Sequence, residues 1–379
     1  MDLLFFAMCL VALAACLDRS RRGPSLAFGT VDAIVPAYNE APCIERSLLD
    51  LLRNPYVRRV ICVNDGSTDG TAQVLERMRP RWRGRLLVVH QRNTGKGGAL
   101  MAGLAHATAR QVFLTDADTR VPPERPGLGY LLAEIEDGAD AVGGVPSSNL
   151  DGAGLLPCIR ATVKLPMIVI RRTCQQVFGG APFIVSGACG MFRTEVLRRH
   201  GFSDRTRVED LDLTWTLVAH GCRVRQANRC IVYPQECNTL GEEWKRWRRW
   251  IVGYAVCMRL HRRLLLTRFG LVSILPMLLV VVAGVAVYAL HGSLLVAELG
   301  PLRGLAATFF PWLWLLTASA LGAVSAVHHR RPSLVPLASL AVVYLLLAYA
   351  IWVVHGLAGL VTGREPARDK PTRYAHVVD

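Results

Sequence analysis

The 379-residue sequence has eleven cysteines but no Cys-x-x-Cys pair, and no histidine cluster stands near them. That gives a zinc site little support, and the cysteines read as small apolar residues, several of them in a domain where thiols stay reduced. Charge is scarce: 19% of residues are Asp, Glu, Lys or Arg, while 52% are hydrophobic and the mean hydropathy is +0.30. Such a balance is unusual for a soluble protein. The stretch NTGKGGAL (residues 93–100) resembles a phosphate loop but lacks the full Walker spacing. The charge that is present is lopsided, with a formal net charge of +15. A basic excess suits nucleic acid or an anionic membrane face. No groove-reading motif accompanies it, so nucleic acid is not an expected partner.

The apolar residues concentrate at the two ends of the chain. Residues 269–290, 305–327 and 334–361 form three long apolar runs, and each reaches the roughly 20 residues that a spanning helix needs. Pro276 and Pro311 lie inside two of them, which membrane bundles tolerate. Three runs in succession argue against buried helices of a soluble core. Residues 1–18 form a shorter apolar run without a basic segment before it, and Arg19, Arg21 and Arg22 follow it. That placement reads as a signal anchor with the next segment in the cytoplasm, and cleavage near Leu13-Ala14-Ala15-Cys16 is the alternative. The distribution of basic residues puts residues 18 to 265 and the loop HHRRP (residues 328–332) inside, and residues 290–303 outside. Four spans then leave the tail from Thr362 outside, against its four basic residues.

Between residues 31 and 233 strands alternate with helices. The pattern predicts strands at 31–35, 60–63, 86–89 and 112–114, and helices at 41–53, 71–79 and 98–109. Alternation of this kind implies right-handed βαβ units and a mostly parallel sheet, whose ligands bind at the carboxyl ends of the strands. Three polar clusters stand out. VPAYNE (residues 35–40) and VNDGSTDGT (residues 63–71) each put a turn and a carboxylate just after a strand, where an acid can hydrogen-bond a ribose or a base edge. Thr115-Asp116-Ala117-Asp118 puts two carboxylates just past another strand, a pairing that suits a hard divalent cation as well as it suits a solvated turn. Val208-Glu209-Asp210-Leu211-Asp212 opens an apolar helix, where acids are also ordinary capping residues. Asp212 reads as an exposed helix residue, with a second acid as the alternative. The string EEWKRWRRWIVGY (residues 242–254) repeats tryptophan every third residue among arginines, which suits a helix lying at a membrane interface. Residues 155–177 fit a second interfacial helix or a soluble surface helix.

The order and spacing of these clusters resemble glycosyltransferase family 2 over residues 31–253. The resemblance implies an α/β GT-A nucleotide-sugar domain with a mostly parallel sheet, flanked by transmembrane helices. It implies donor-binding roles for Pro36, Tyr38, Glu40, Asp65, Lys96, Arg246 and Arg249, with Asp65 on the uridine. Asp116 and Asp118 match a DxD element that holds a divalent metal, Mg or Mn, and the diphosphate. Asp210 matches the catalytic base, with Glu209 beside it, in VED where the family usually has TED. SGACGMFR (residues 186–193) matches the segment near the acceptor, which assigns Ser186 and Gly187 there. Trp247 and Trp250 join them from a motif after the base that usually reads QxxRW, and Arg246 stands in place of its Gln. The surrounding phrases look most like bacterial poly-β-1,6-N-acetylglucosamine synthases.

The expected organisation is an anchor over 1–18, a cytoplasmic GT-A domain over 30–240, an interfacial helix over 241–266, three transmembrane helices over 267–362 and a tail over 363–379. This would be a multi-pass inner-membrane enzyme. It would move a sugar, N-acetylglucosamine or another hexose, with inversion from a UDP-sugar to a growing polysaccharide. Single-sugar transfer to a lipid acceptor and a catalytically silent membrane subunit are the alternatives. Expected partners are the UDP-sugar, a saccharide or lipid-linked acceptor, the membrane and, for a synthase, a small membrane subunit.

Overall fold

The computed structural model describes residues 23–276, 278, 290, 293–294, 296–301, 303–304, 312–365 and 373. The expected anchor at 1–18, much of the run at 269–290, residues 305–311 and all of the tail beyond Glu365 except Arg373 lie outside the described residues. The chain forms two compact units. The first comprises Met1–Gly152, Val169–Glu236 and Lys370–Asp379, and the second Ala153–Ile168 and Cys237–Asp369.

The first unit is built on one sheet. In chain order its elements begin β1 (Val31–Ala37), α1 (Ile44–Arg53), β2 (Val57–Asp65), α2 (Thr71–Met78), β3 (Leu86–Gln91), α3 (Gly95–His106) and β4 (Gln111–Leu114). There follow β5 (Thr119–Arg120), α4 (Gly127–Glu136), β6 (Ala141–Pro146), the long helix α5 (Leu155–Gly179, whose residues up to Ile168 belong to the second unit), β7 (Gly190–Arg193), α6 (Thr194–His200), α7 (Glu209–Ala219) and β8 (Val224–Pro234). The spatial order is β3-β2-β1-β4-β7-β6-β8-β5. β1 runs parallel to β2 and β4, β2 to β3, and β6 to β8, while β7 is antiparallel to both its neighbours and β5 to β8.

The central strands are apolar because both faces are covered. Ile34 pairs with Ile61 on one side and Leu114 on the other, and all three are buried. In α1 the buried residues Ile44, Leu48, Leu51 and Leu52 follow helical spacing and form one stripe against the sheet. Asp32 is the exception in β1, a fully buried carboxylate. Arg58 donates to it from Nε at 3.1 Å and Nη2 at 2.8 Å, and the backbone amides of Thr108 and Ala109 add bonds of 2.8 and 3.0 Å. A buried charge so satisfied ties β2 and the end of α3 to the central strand.

The second unit holds α8 (Leu240–Leu260), α9 (Trp312–His329) and α10 (Leu334–Ile351), which continues through a π turn (Trp352–Gly356) into Leu357–Thr362. The Thr239 hydroxyl caps α8 by accepting from the Glu242 amide at 3.3 Å. Among the described residues one helix, Leu334–Thr362, is long and apolar enough to cross a membrane, by length and composition alone.

Candidate active site

The carboxyl ends of β1, β2 and β4 carry the polar clusters. Past β1, Asn39 takes a left-handed backbone (φ 53°), which an asparagine adopts more readily than most residues. Its side chain accepts from the Thr68 amide at 2.7 Å, and the Thr71 hydroxyl accepts from the Glu40 amide at 2.8 Å. These bonds knit the two strand-end loops together. Gly66 turns the chain out of β2 at φ 73°, and a Cβ there would lie 2.8 Å from the Asn93 amide nitrogen. Pro36 lies inside β1 opposite Val63, and Tyr38 beyond it is exposed.

Asp65 ends β2 and is buried. Its Oδ1 accepts from the Thr94 amide at 2.8 Å, Gln91 Nε2 at 2.7 Å and the Thr94 hydroxyl at 3.3 Å. Gln91 and Thr94, which the sequence did not single out, therefore fix the acid assigned to the uridine. They also place the start of α3, on which Lys96 is the second residue.

Lys96 gathers the remaining acids. Its Nζ lies 2.5 Å from Asp116 Oδ1 and 3.9 Å from Glu209 Oε1. The Gly187 amide donates to Asp210 Oδ2 at 2.9 Å, and the Leu211 amide to Asp210 Oδ1 at 2.9 Å. A Cβ on Gly187 would sit 2.9 Å from Lys96 Nζ and 3.5 Å from Asp210 Oδ2, so the lysine, the acid and the Ser186–Gly187 turn meet at one point. The Thr115 hydroxyl donates to the Ala188 carbonyl at 2.9 Å and joins that turn to the end of β4. Burial, with Glu209 and Asp116 adding, raises the Asp210 carboxyl above the usual carboxylate range, against the Lys96 charge and the Gly187 amide. The structure thus brings Lys96, Asp116, Glu209, Asp210, Ser186 and Gly187 together.

Asp118 and Glu40 form the neighbouring pair, and both are buried. Arg373 bridges them, with Nη1 2.6 Å from Asp118 Oδ2 and Nε 2.9 Å from Glu40 Oε2. The Asp118 carboxyl is pushed up to about 6 by burial, a shift that Arg373 opposes while Glu40 and Asp116 add to it. Arg373 lies in the span expected to be a tail facing outside, yet its guanidinium meets two acids of the unit that carries the sheet. Sequence reading missed this residue, and the only available signal was the basic character of the tail.

Two other expectations change. Asp212 is buried, not exposed, because the preceding loop folds over it: Arg205 donates from Nε at 2.9 Å and Nη2 at 2.8 Å, and the Ser203 hydroxyl at 2.6 Å. The helix over 155–177 extends to Gly179 as α5, and two of its arginines are buried. Arg172 donates to the Gly144 carbonyl at 3.0 Å, within the first unit.

In the second unit the tryptophan stripe of α8 packs inward. Trp247 Nε1 donates to the Tyr344 hydroxyl at 2.7 Å, and that hydroxyl donates to Glu243 Oε1 at 2.6 Å. Glu243 is fully buried and also pairs with Arg246 and, at 3.1 Å, with Arg160 Nη1. The guanidinium carbons of Arg160 and Arg246 each lie 5.4 Å from the Trp250 ring centroid. Arg246 therefore serves a buried ion-pair network centred on Glu243 of its own helix, and Arg249 lies on the same helix.

A sequence model described as "Glycosyl transferase family 2" matches residues 32–201. The chain is 63% identical over 376 residues to an uncharacterized glycosyltransferase, YaiP, of Escherichia coli (strain K12), covering 99% of this chain and 94% of that protein. It is 28% identical over 224 residues to a poly-beta-1,6-N-acetyl-D-glucosamine synthase of Staphylococcus aureus (strain COL), covering 58% of this chain and 53% of that one. Among solved structures, the mannosyltransferase PcManGT from Pyrobaculum calidifontis, in complex with GDP-Man and Mn2+, superposes with a TM-score of 0.59 over 92% of this chain and 94% of that one. Sequence identity there is 22%, so that likeness is one of fold.

Proposed function

The chain belongs to glycosyltransferase family 2, and from that premise we propose that it is an inverting transferase moving a hexose from a UDP-sugar onto a growing saccharide at a membrane. The observation that carries this reading is the convergence of Asp210 and Asp116 around Lys96, at the carboxyl edge of a mostly parallel GT-A-like sheet. Asp65 holds the uridine end of the donor. Asp210 accepts the proton of the attacking hydroxyl, and base help of this kind is worth about 10²–10⁴ in rate. Lys96 places a fixed positive charge beside the acids, where negative charge develops on the leaving diphosphate. Ser186 and Gly187 shape the acceptor side, and Gly187 orients Asp210 through its amide. Glu209 keeps Asp210 basic by its own charge.

A divalent cation fits the donor set. Asp116 and Asp118 offer hard carboxylate oxygens two residues apart, and the chain already sets a cationic group, the Arg373 guanidinium, against Asp118 and Glu40. When bound there, Mg or Mn would offset the charge of the diphosphate.

N-acetylglucosamine is the favoured sugar and a polymer the favoured product. Both rest on the similarity to the Staphylococcus aureus synthase. The apolar helix Leu334–Thr362 and the runs before it are proposed as the membrane anchor.

Membranes supplied with one labelled UDP-sugar at a time, followed by sizing of the product, test the reading. A ladder of lengths supports a synthase. A single added sugar on lipid replaces it with the lipid-directed alternative, and no transfer from any nucleotide sugar refutes it.

A further inference from the structure

Arg373 brings a partly buried cation to Glu40 and Asp118 from far along the chain, 333 residues from Glu40. Both of its partners are buried carboxylates from separate strand-end loops, Glu40 after β1 and Asp118 between β4 and β5. Such acids are stable in an interior only when a counter-charge meets them. The guanidinium meets both at hydrogen-bond distance: Nε lies 2.9 Å and Nη2 3.3 Å from the Glu40 carboxylate oxygens, while Nη1 lies 2.6 Å from Asp118 Oδ2. A fork of this shape fixes the direction of each carboxylate as well as its charge.

The inference rests on the reading of Asp116 and Asp118 as the cation-binding pair. We propose that Arg373 is a positioning residue of the donor site, which holds Asp118 and Glu40 in register while no divalent cation is bound and gives up Asp118 when one binds. A guanidinium and a metal ion cannot both lie against Asp118 Oδ2 at contact distance without strong repulsion. The two therefore compete for one carboxylate. Metal affinity in the absence of donor is set below what Asp116 and Asp118 would give alone, and the tail is coupled to the state of the site.

The test uses the full-length chain in detergent and Mn2+ alone, with bound ion counted by electron paramagnetic resonance. Arg373→Gln should tighten Mn2+ binding about tenfold or more, an energy of about 1.4 kcal/mol per factor of ten. Arg373→Lys should fall between that variant and the wild type. Thermal melting without metal confirms that the variants fold. Asp118→Asn should abolish the tight site in either background. Equal or weaker Mn2+ binding by Arg373→Gln overturns the inference while leaving the metal site standing. Mn2+ binding that ignores Asp118→Asn, or no binding by any form, overturns both the inference and the assignment of the cation pair.

Discussion

Replacing Asp210 with asparagine removes a charge and leaves the shape of the side chain. In the native site Oδ2 accepts from the Gly187 amide and Oδ1 from the Leu211 amide, both at 2.9 Å. An asparagine can satisfy only one of these, because its amide nitrogen must face the other N–H. The structural cost is one unmade hydrogen bond, about 1–3 kcal/mol, shared between folding and local geometry. The chemical cost is larger. Without a base the acceptor hydroxyl attacks unassisted, and the rate should fall about 10²–10⁴-fold. Donor binding, which depends on Asp65 and Lys96, should change little. The assay is transfer of labelled sugar at saturating donor, alongside calorimetric titration with UDP. A kcat within about tenfold of the wild type, with the fold intact, would refute the assignment of Asp210 as base.

Three further outcomes follow from the same contacts. Burial and Glu209 raise the Asp210 pKa while Lys96 lowers it, and a base must be ionised. The acidic limb of kcat should therefore lie above the ordinary carboxylate range, and Lys96→Met should move it to still higher pH; a limb that stays put denies the Lys96–Asp210 coupling. Asp32→Ala strips the central strand of its bonds to Arg58, Thr108 and Ala109. Because Arg58 reaches solvent, the loss should be about 2–3 kcal/mol in urea unfolding, below the cost of breaking a fully buried pair. Glu243→Ala leaves the buried Arg160 uncompensated and should cost about 3–5 kcal/mol, with Glu243→Gln milder, as read by thermal melting in detergent.

The half of the sheet that the sequence made legible is the parallel half. β1, β2 and β4 are short apolar runs buried along most of their length, and β1 leads into α1 with its apolar stripe. Their hydrophobicity announces them, and the acids at their ends lie where parallel strands put ligands. The later strands hide for identifiable reasons. β6 is Gly-rich (AVGGVP), β7 lies within a segment read for its role near the acceptor, and β8 carries Arg225, Gln226, Asn228 and Arg229. Asp212 looked exposed because it is a carboxylate in the first turn of α7, and the Ser203–Arg205 loop folds over it. Asp65, Asp116, Asp118 and Asp210 stood out at strand and helix ends, and the resemblance to the family implied their roles. Arg373 did not stand out, since no local pattern marks an arginine whose partners lie hundreds of residues away. The tryptophans of α8 were legible as a stripe. That the stripe turns toward Tyr344 and Glu243 depended on a helix nearly a hundred residues later.

The central claim is that one cluster of acids at the carboxyl edge of the sheet receives the sugar nucleotide. Crystals or frozen particles of the full chain with a UDP-sugar and Mn2+ would test it most directly. The account predicts manganese density at Asp116 and Asp118, uracil beside Asp65, and the anomeric carbon facing Asp210. Nucleotide seated elsewhere on the chain, or a donor whose sugar points away from Asp210, would contradict it.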